Sequence, residues 1–90
     1  MATYFVLCND LFLKAKIMGR IKQENFPEDA DILLVDLEHP DAFTMIERFQ
    51  KKCIAFCSHV RQDLIRKTAE KGVKAYPRSQ FFSKVLPELS

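Results

Sequence analysis

The chain has 90 residues, 48% of them hydrophobic and 29% charged, with only two glycines, a composition that excludes a disordered or fibrous segment and fits one globular domain. Fourteen basic against twelve acidic residues leave a net charge of +2, too little to imply nucleic-acid or anionic-membrane binding from electrostatics alone. No apolar run approaches the roughly 20 residues of a membrane span, and the start MATYFVLCND lacks the basic segment and cleavage site of a secretory signal, so a cytoplasmic protein is expected.

The first predicted strand is TYFVLC, residues 3–8. Its nearly continuous apolarity suits burial on both faces of a parallel sheet. A helix is expected over 10–24, with Asp10 able to cap it and Leu13, Ile17 and Ile21 four apart. Its basic residues Lys14, Lys16, Arg20 and Lys22 read as a solvated face. DILLVDL (31–37) is the second strand and runs into Asp36. Pro40 and Asp41 open a second helix reaching Lys52, with Ala42, Phe43, Ile46 and Phe49 on one side. CIAFCS (53–58) is the third strand, and a helix from Arg61 to Lys71 stops at Gly72, the expected residue beyond its C-terminus. VKAY (73–76) is the fourth strand. The last helix, Ser79 to Leu89, has Phe82, Val85, Leu86 and Leu89 on one side and is limited by Pro87.

Four strand-helix units in succession predict a single α/β domain over 1–90: three layers, with a parallel sheet of about four strands and about four helices. Crossovers are right-handed, so a strand order 1-2-3-4 puts the first three helices on one face. An order 2-1-3-4 divides the helices two and two and is the expected arrangement. Three cysteines, Cys8, Cys53 and Cys57, in apolar surroundings suit reduced core thiols better than a disulfide framework. Cys53 and Cys57 lie about 13 Å apart along one strand.

Functional groups of open parallel sheets collect beyond the C-terminal strand ends. Cys8, Asn9, Asp10, Asp36, Cys57, Ser58, His59, Arg78 and Ser79 therefore share one rim. DILLVDLEHPDAFTMIERFQ resembles the third strand, phosphoacceptor aspartate and following helix of the receiver domain of bacterial response regulators. CIAFCSHVRQDLIRKTAEKGVKAYPRSQF is similar to that domain's fourth strand, fourth helix and fifth strand, including the turn Ala69 to Gly72. The resemblance implies a flavodoxin-like fold, with Asp36 at the phosphoacceptor position.

The resemblance also implies two carboxylates after the first strand, a hydroxyl residue after the fourth and a lysine before proline after the fifth. This chain has Cys8 and Asn9 in place of the acid pair, with Asp10 one residue later. Cys57 takes the hydroxyl position, or Ser58 on a one-residue shift, and Ser79 the lysine position, or Arg78 on a similar shift. The segment IKQENFPEDA (21–30) is too short for a receiver's second strand and helix. With magnesium requiring near-octahedral oxygen ligation and arginine no substitute for a lysine point charge, a shortened, degenerate receiver is expected, with little or no phosphorylation and no cofactor or metal.

The function expected from this is non-enzymatic: a signalling or regulatory module that binds a protein partner. The resemblance implies a partner surface on residues 73–89, with Tyr76, Phe81, Phe82 and Val85 as contacts. A missing strand and helix leave an edge or patch to cover, most simply with a second copy in a two-fold dimer. The alternatives are a phosphorylatable, anion- or metal-binding domain using Asp36 with Asp10 and Arg78, and a thiol redox sensor using Cys8 and Cys57. The neighbours Ser58 and His59 lack a nucleophile motif, and a His39, His59, Asp36 metal site lacks a recurring ligand spacing.

Overall fold

The four apolar runs become four parallel strands in the computed structural model, which describes residues 2–58 and 60–89, Lys51 by its backbone alone. Strands β1 (Tyr4–Leu7), β2 (Ile32–Asp36), β3 (Cys53–Cys57) and β4 (Lys74–Pro77) pair in the order β1-β2-β3-β4. The register sets Leu7 beside Val35, Asp36 beside Phe56 and Cys57 beside Pro77. All four strands thus finish at the same rim.

Helix α1 spans Leu11–Met18, α2 Ala42–Phe49 and α3 Gln62–Glu70. The Asp10 carboxylate starts α1 by accepting hydrogen bonds from the Phe12 and Leu13 amides at 3.0 and 3.2 Å, satisfying two donors that have no partner inside the helix. Gly72 follows α3 with φ +80°, a conformation that only glycine adopts without strain. Helix α1 is shorter than its periodicity suggests, because residues 21–31 are used to change direction.

Alternation along the strands builds two cores. Leu33, Val35, Ala55 and Cys57 pack with Ala42 and Ile46 of α2 and with Leu64 and Ile65 of α3. On the other face Tyr4, Val6, Cys8, Leu34 and Phe56 pack with Ile17 of α1 and with Phe81 and Leu86 of the last helix. The helices are therefore divided two and two in a flavodoxin-like arrangement. The expected order 2-1-3-4 is nevertheless wrong for these strands, since β1 lies at the end of the row beside β2.

Helix α1 sits opposite α2 and α3, although a right-handed crossover directly from β1 to β2 would put it on their side. The explanation is one residue. Gln23 forms a parallel bridge with Tyr4, in which the Tyr4 amide donates to Lys22 O at 2.9 Å and the Glu24 amide to Tyr4 O at 2.7 Å. Tyr4 already pairs with Ile32 on its other side, so Gln23 occupies the outer edge of β1. The chain goes from β1 through α1 to this edge, then returns beneath β1 through the 3-10 turn Pro27–Asp29. The Asp31 carboxylate fixes the return by accepting from the Thr3 amide at 2.9 Å and its hydroxyl at 3.3 Å.

The last helix, α4 (78–89), runs through Arg78–Gln80, a π-helical segment Phe81–Val85 and Leu86–Leu89. The Leu86 amide reaches back five residues to Phe81 O, immediately before Pro87, whose missing N–H interrupts regular bonding. This wider turn lets Phe81 and Leu86, both fully buried, reach the same core. Phe81 stacks on Phe56 with ring centroids 4.6 Å apart, a geometry worth about 0.5–1.5 kcal/mol beyond area burial. Replacing Phe81 with alanine is expected to cost about 3–5 kcal/mol, read in urea unfolding as a lower midpoint at unchanged slope; a loss within about 0.5 kcal/mol would show that α4 is not integral to the core.

Candidate functional site

Cys8, Asp36, Phe56 and Tyr76 lie in one row across the face that carries α1 and α4. Three are apolar or weakly polar; Asp36 alone is charged, and it is 3% exposed. A buried carboxylate needs hydrogen bonds and a counter-charge. Its Oδ1 accepts from the Glu38 amide at 3.0 Å, closing a short turn after β2. Its Oδ2 accepts from the Cys8 thiol at 3.5 Å and lies 3.7 Å from Arg78 Nη2.

Arg78 stands at the start of α4, and its Nη2 also donates to Glu38 Oε2 at 2.8 Å. At 2.8 Å against 3.7 Å, Glu38 is the hydrogen-bond partner, while Asp36 receives mainly electrostatic compensation. Arg78 Nε is sequestered without an acceptor among the described residues. Two carboxylates around one guanidinium leave this cluster a formal net charge of −1. An incoming phosphate would meet both acids and a cation already engaged, which opposes the anion-binding alternative.

The other rim residues do not converge on Asp36. Asn9 and Ser79 are exposed. Asp10 is occupied as the cap of α1, so it does not replace a missing metal ligand. Cys57 points to the opposite core and donates to Arg61 O at 3.6 Å. Ser58 is half-buried, and its carbonyl accepts from the Arg61 amide at 3.0 Å, shaping the turn into α3. His39 Nδ1 accepts from the Asp41 amide at 3.0 Å, bracing the entry to α2. His59, which completes both the Ser58 and the metal-site alternatives, lies outside the described residues. Among the described residues no group of three His, Cys, Asp or Glu side chains is arranged to hold a metal.

Phe81, expected to face a partner, is instead core. Tyr76, Phe82 and Val85 are half-buried and keep accessible area. Glu38 was not anticipated; its position two residues after Asp36, within reach of an aspartate-initiated turn, was the available signal.

The thiols are held protonated. Burial is the main cause that pushes Cys8 up to about 11, with the neighbouring Asp36 adding to it against an opposing bond to the Asp10 carbonyl. Burial likewise raises Cys53 to about 11, and burial followed by Glu38 and Asp36 raises Cys57. Cys8 and Cys57 also end strands separated by β2 and face opposite cores. Two strand spacings come to roughly 9.5 Å, beyond the ~7 Å limit between disulfide Cα atoms. A disulfide between these two cysteines is therefore out of reach, which opposes the redox alternative that pairs them. No family model, curated protein or solved structure matches the chain.

Two measurements check the site. A double-mutant cycle of Asp36→Asn and Arg78→Met should give a coupling of about 1 kcal/mol, kept modest by the partial exposure of Arg78 and reduced by salt. Additivity at low ionic strength would remove Arg78 as the counter-charge. For the thiols, the folded state retains protons that the unfolded chain releases near an ordinary 9.0. Their contribution is therefore complete below about pH 9 and is lost as pH rises toward about 11. Urea midpoints should fall across that window, less steeply in Cys53→Ala; an equal fall in the variant would contradict the assignment.

Proposed function

We propose that this chain is a non-enzymatic, receiver-like protein-interaction module with a phosphoacceptor-equivalent aspartate that serves structure. The observation carrying this reading is the enclosure of Asp36, whose two oxygens are engaged by the Glu38 amide, the Cys8 thiol and the Arg78 charge. Acyl-phosphate formation needs an exposed, metal-assisted oxygen with neutralising charge nearby. Here the nearest additional acid, Glu38, adds negative charge, and Asp10 is committed to a helix cap.

What remains for the module is recognition by shape. A groove of about 430 Å³ runs between α3 and the open edge at β4, lined by Ile65, Ala69, Val73, Ala75 and Tyr76 among others. Its strand side, Val73 to Tyr76, falls within residues 73–89, where the resemblance would put a partner surface, and its other side is α3. Lys74, exposed on β4, opposes direct strand-to-strand extension of the sheet, so a partner would pack into this groove. A second copy in a two-fold dimer is the simplest such partner; in regulation, the surface would transmit occupancy by a protein rather than phosphorylation.

Incubation with a small acyl-phosphate donor and magnesium should leave the intact mass unchanged. A stoichiometric phosphoryl adduct that disappears in Asp36→Asn would defeat the structural role of Asp36 and establish the phosphorylatable alternative.

A further inference from the structure

Helix α1 is apolar on two sides. Its inward stripe, Leu13 and Ile17, joins the core with Ile21 beyond the helix end. Its outward stripe carries Leu11, 77% exposed, Phe12, 86% exposed, and Met18, 41% exposed, with exposed Ala15 and Gly19 between them. At about 100° per residue, Ala15 and Gly19 lie opposite Ile17, with Leu11 and Phe12 on either side. Surface helices ordinarily present polar residues there. Phe12 and Leu11 together are more than isolated exposed apolar residues need explain.

The borders of this stripe are basic. Lys16 and Arg20 line one side and Lys14 the other. From residue 11 to residue 23 there are four basic residues and no acidic one. Among the described residues none of these four side chains has an ion-pair partner, whereas Arg48, Arg61, Lys71 and Arg78 all do. Beside the stripe a groove of about 550 Å³ separates α1 from α4. Ala15 and Gly19 line it with Lys16, Arg20 and Phe82. Small residues permit a close approach along the groove, and Phe82 supplies an apolar wall.

We infer that the outer face of α1 and its groove against α4 form a docking site for an amphipathic, acid-flanked helix of a different protein. The apolar stripe of such a helix would cover Phe12 and Leu11 and enter the groove, and its Asp and Glu residues would meet Lys14, Lys16 and Arg20. Charge argues against a second copy in this position: a two-fold contact would set the same unpaired cations against each other. Leu11 and Phe12 project beside the groove rather than into it, and the recess walled by Ala15, Gly19 and Phe82 is one that side chains of a docked helix fill and a flat lipid surface leaves empty. The site is distinct from the groove at the β4 edge and does not depend on the role proposed for Asp36.

The test uses the full chain and two synthetic helical peptides with the same apolar stripe, one flanked by glutamates and one by lysines. Their binding is followed by fluorescence anisotropy, with anionic vesicles and sedimentation as parallel arms. The glutamate peptide should bind saturably, and its affinity should fall with salt. Lys16→Glu combined with Arg20→Glu should weaken it roughly tenfold or more, and Phe12→Ser should do so through lost apolar contact. Both changes are on exposed residues, so circular dichroism should remain that of the parent. Absence of glutamate-peptide binding, equal binding of the lysine peptide, or unchanged affinity in the Lys16/Arg20 variant would overturn the assignment. Sole binding to vesicles, or self-association abolished by Phe12→Ser, would replace it with a lipid or a second copy.

Discussion

The handedness of parallel crossovers governs this molecule through one backbone bridge. A sheet of four strands in simple sequential order would place its first three helices together and leave the other face to α4 alone. By pairing Gln23 with the free edge of β1, the chain inserts a one-residue strand before returning to β2. That detour moves α1 to the face of α4. Both faces of the sheet are then covered within 90 residues, a length at which little surplus stability is available. The Asp31 contacts to Thr3 hold the turn that makes the detour possible.

Coverage of that face also determines the chemistry of the rim. With α1 and α4 in place, Cys8, Asp36 and Phe56 are closed off from solvent, and the carboxylate is satisfied by groups from the end of β1, from the turn after β2 and from the start of α4. A cluster assembled from three segments ties the ends of the fold together. The same closure keeps Cys8 protonated beside it. Internal satisfaction leaves the polar rim with little unsatisfied valence, while the accessible apolar area lies along the flanks of the domain. On the reading proposed above, recognition would be distributed over helix surfaces and a strand edge rather than concentrated at the strand ends.

Much of this was legible in the residues. Uninterrupted apolar runs marked the four strands, Asp10 and Gly72 marked helix ends through capping and left-handed backbone geometry, and the strand ends located Asp36 on the rim. Strand order was not legible, because a single paired residue such as Gln23 has no compositional signature and lies outside the four apolar runs. The orientation of Phe81 was missed for a related reason: regular helical spacing does not anticipate the π-turn before Pro87. Glu38 was missed because its pairing with Arg78 spans 40 positions, a contact that only the folded sheet creates. The outward face of α1 was read as solvated from its lysines, although Leu11, Phe12 and Met18 lie between them.

The widened turn in α4 has a further consequence for the angular phase of that helix. An uninterrupted α-helix advances about 100° per residue, so adding or removing one residue swings everything upstream by that angle. The turn over Phe81–Val85 absorbs such an offset. Leu86 can then be anchored at the far end while Arg78, at the near end, still points toward Asp36 and Glu38. Pro87 thus acts beyond its own position: the irregularity that precedes it works as a rotational coupling between the hydrophobic anchor of the helix and the charged cluster at the rim.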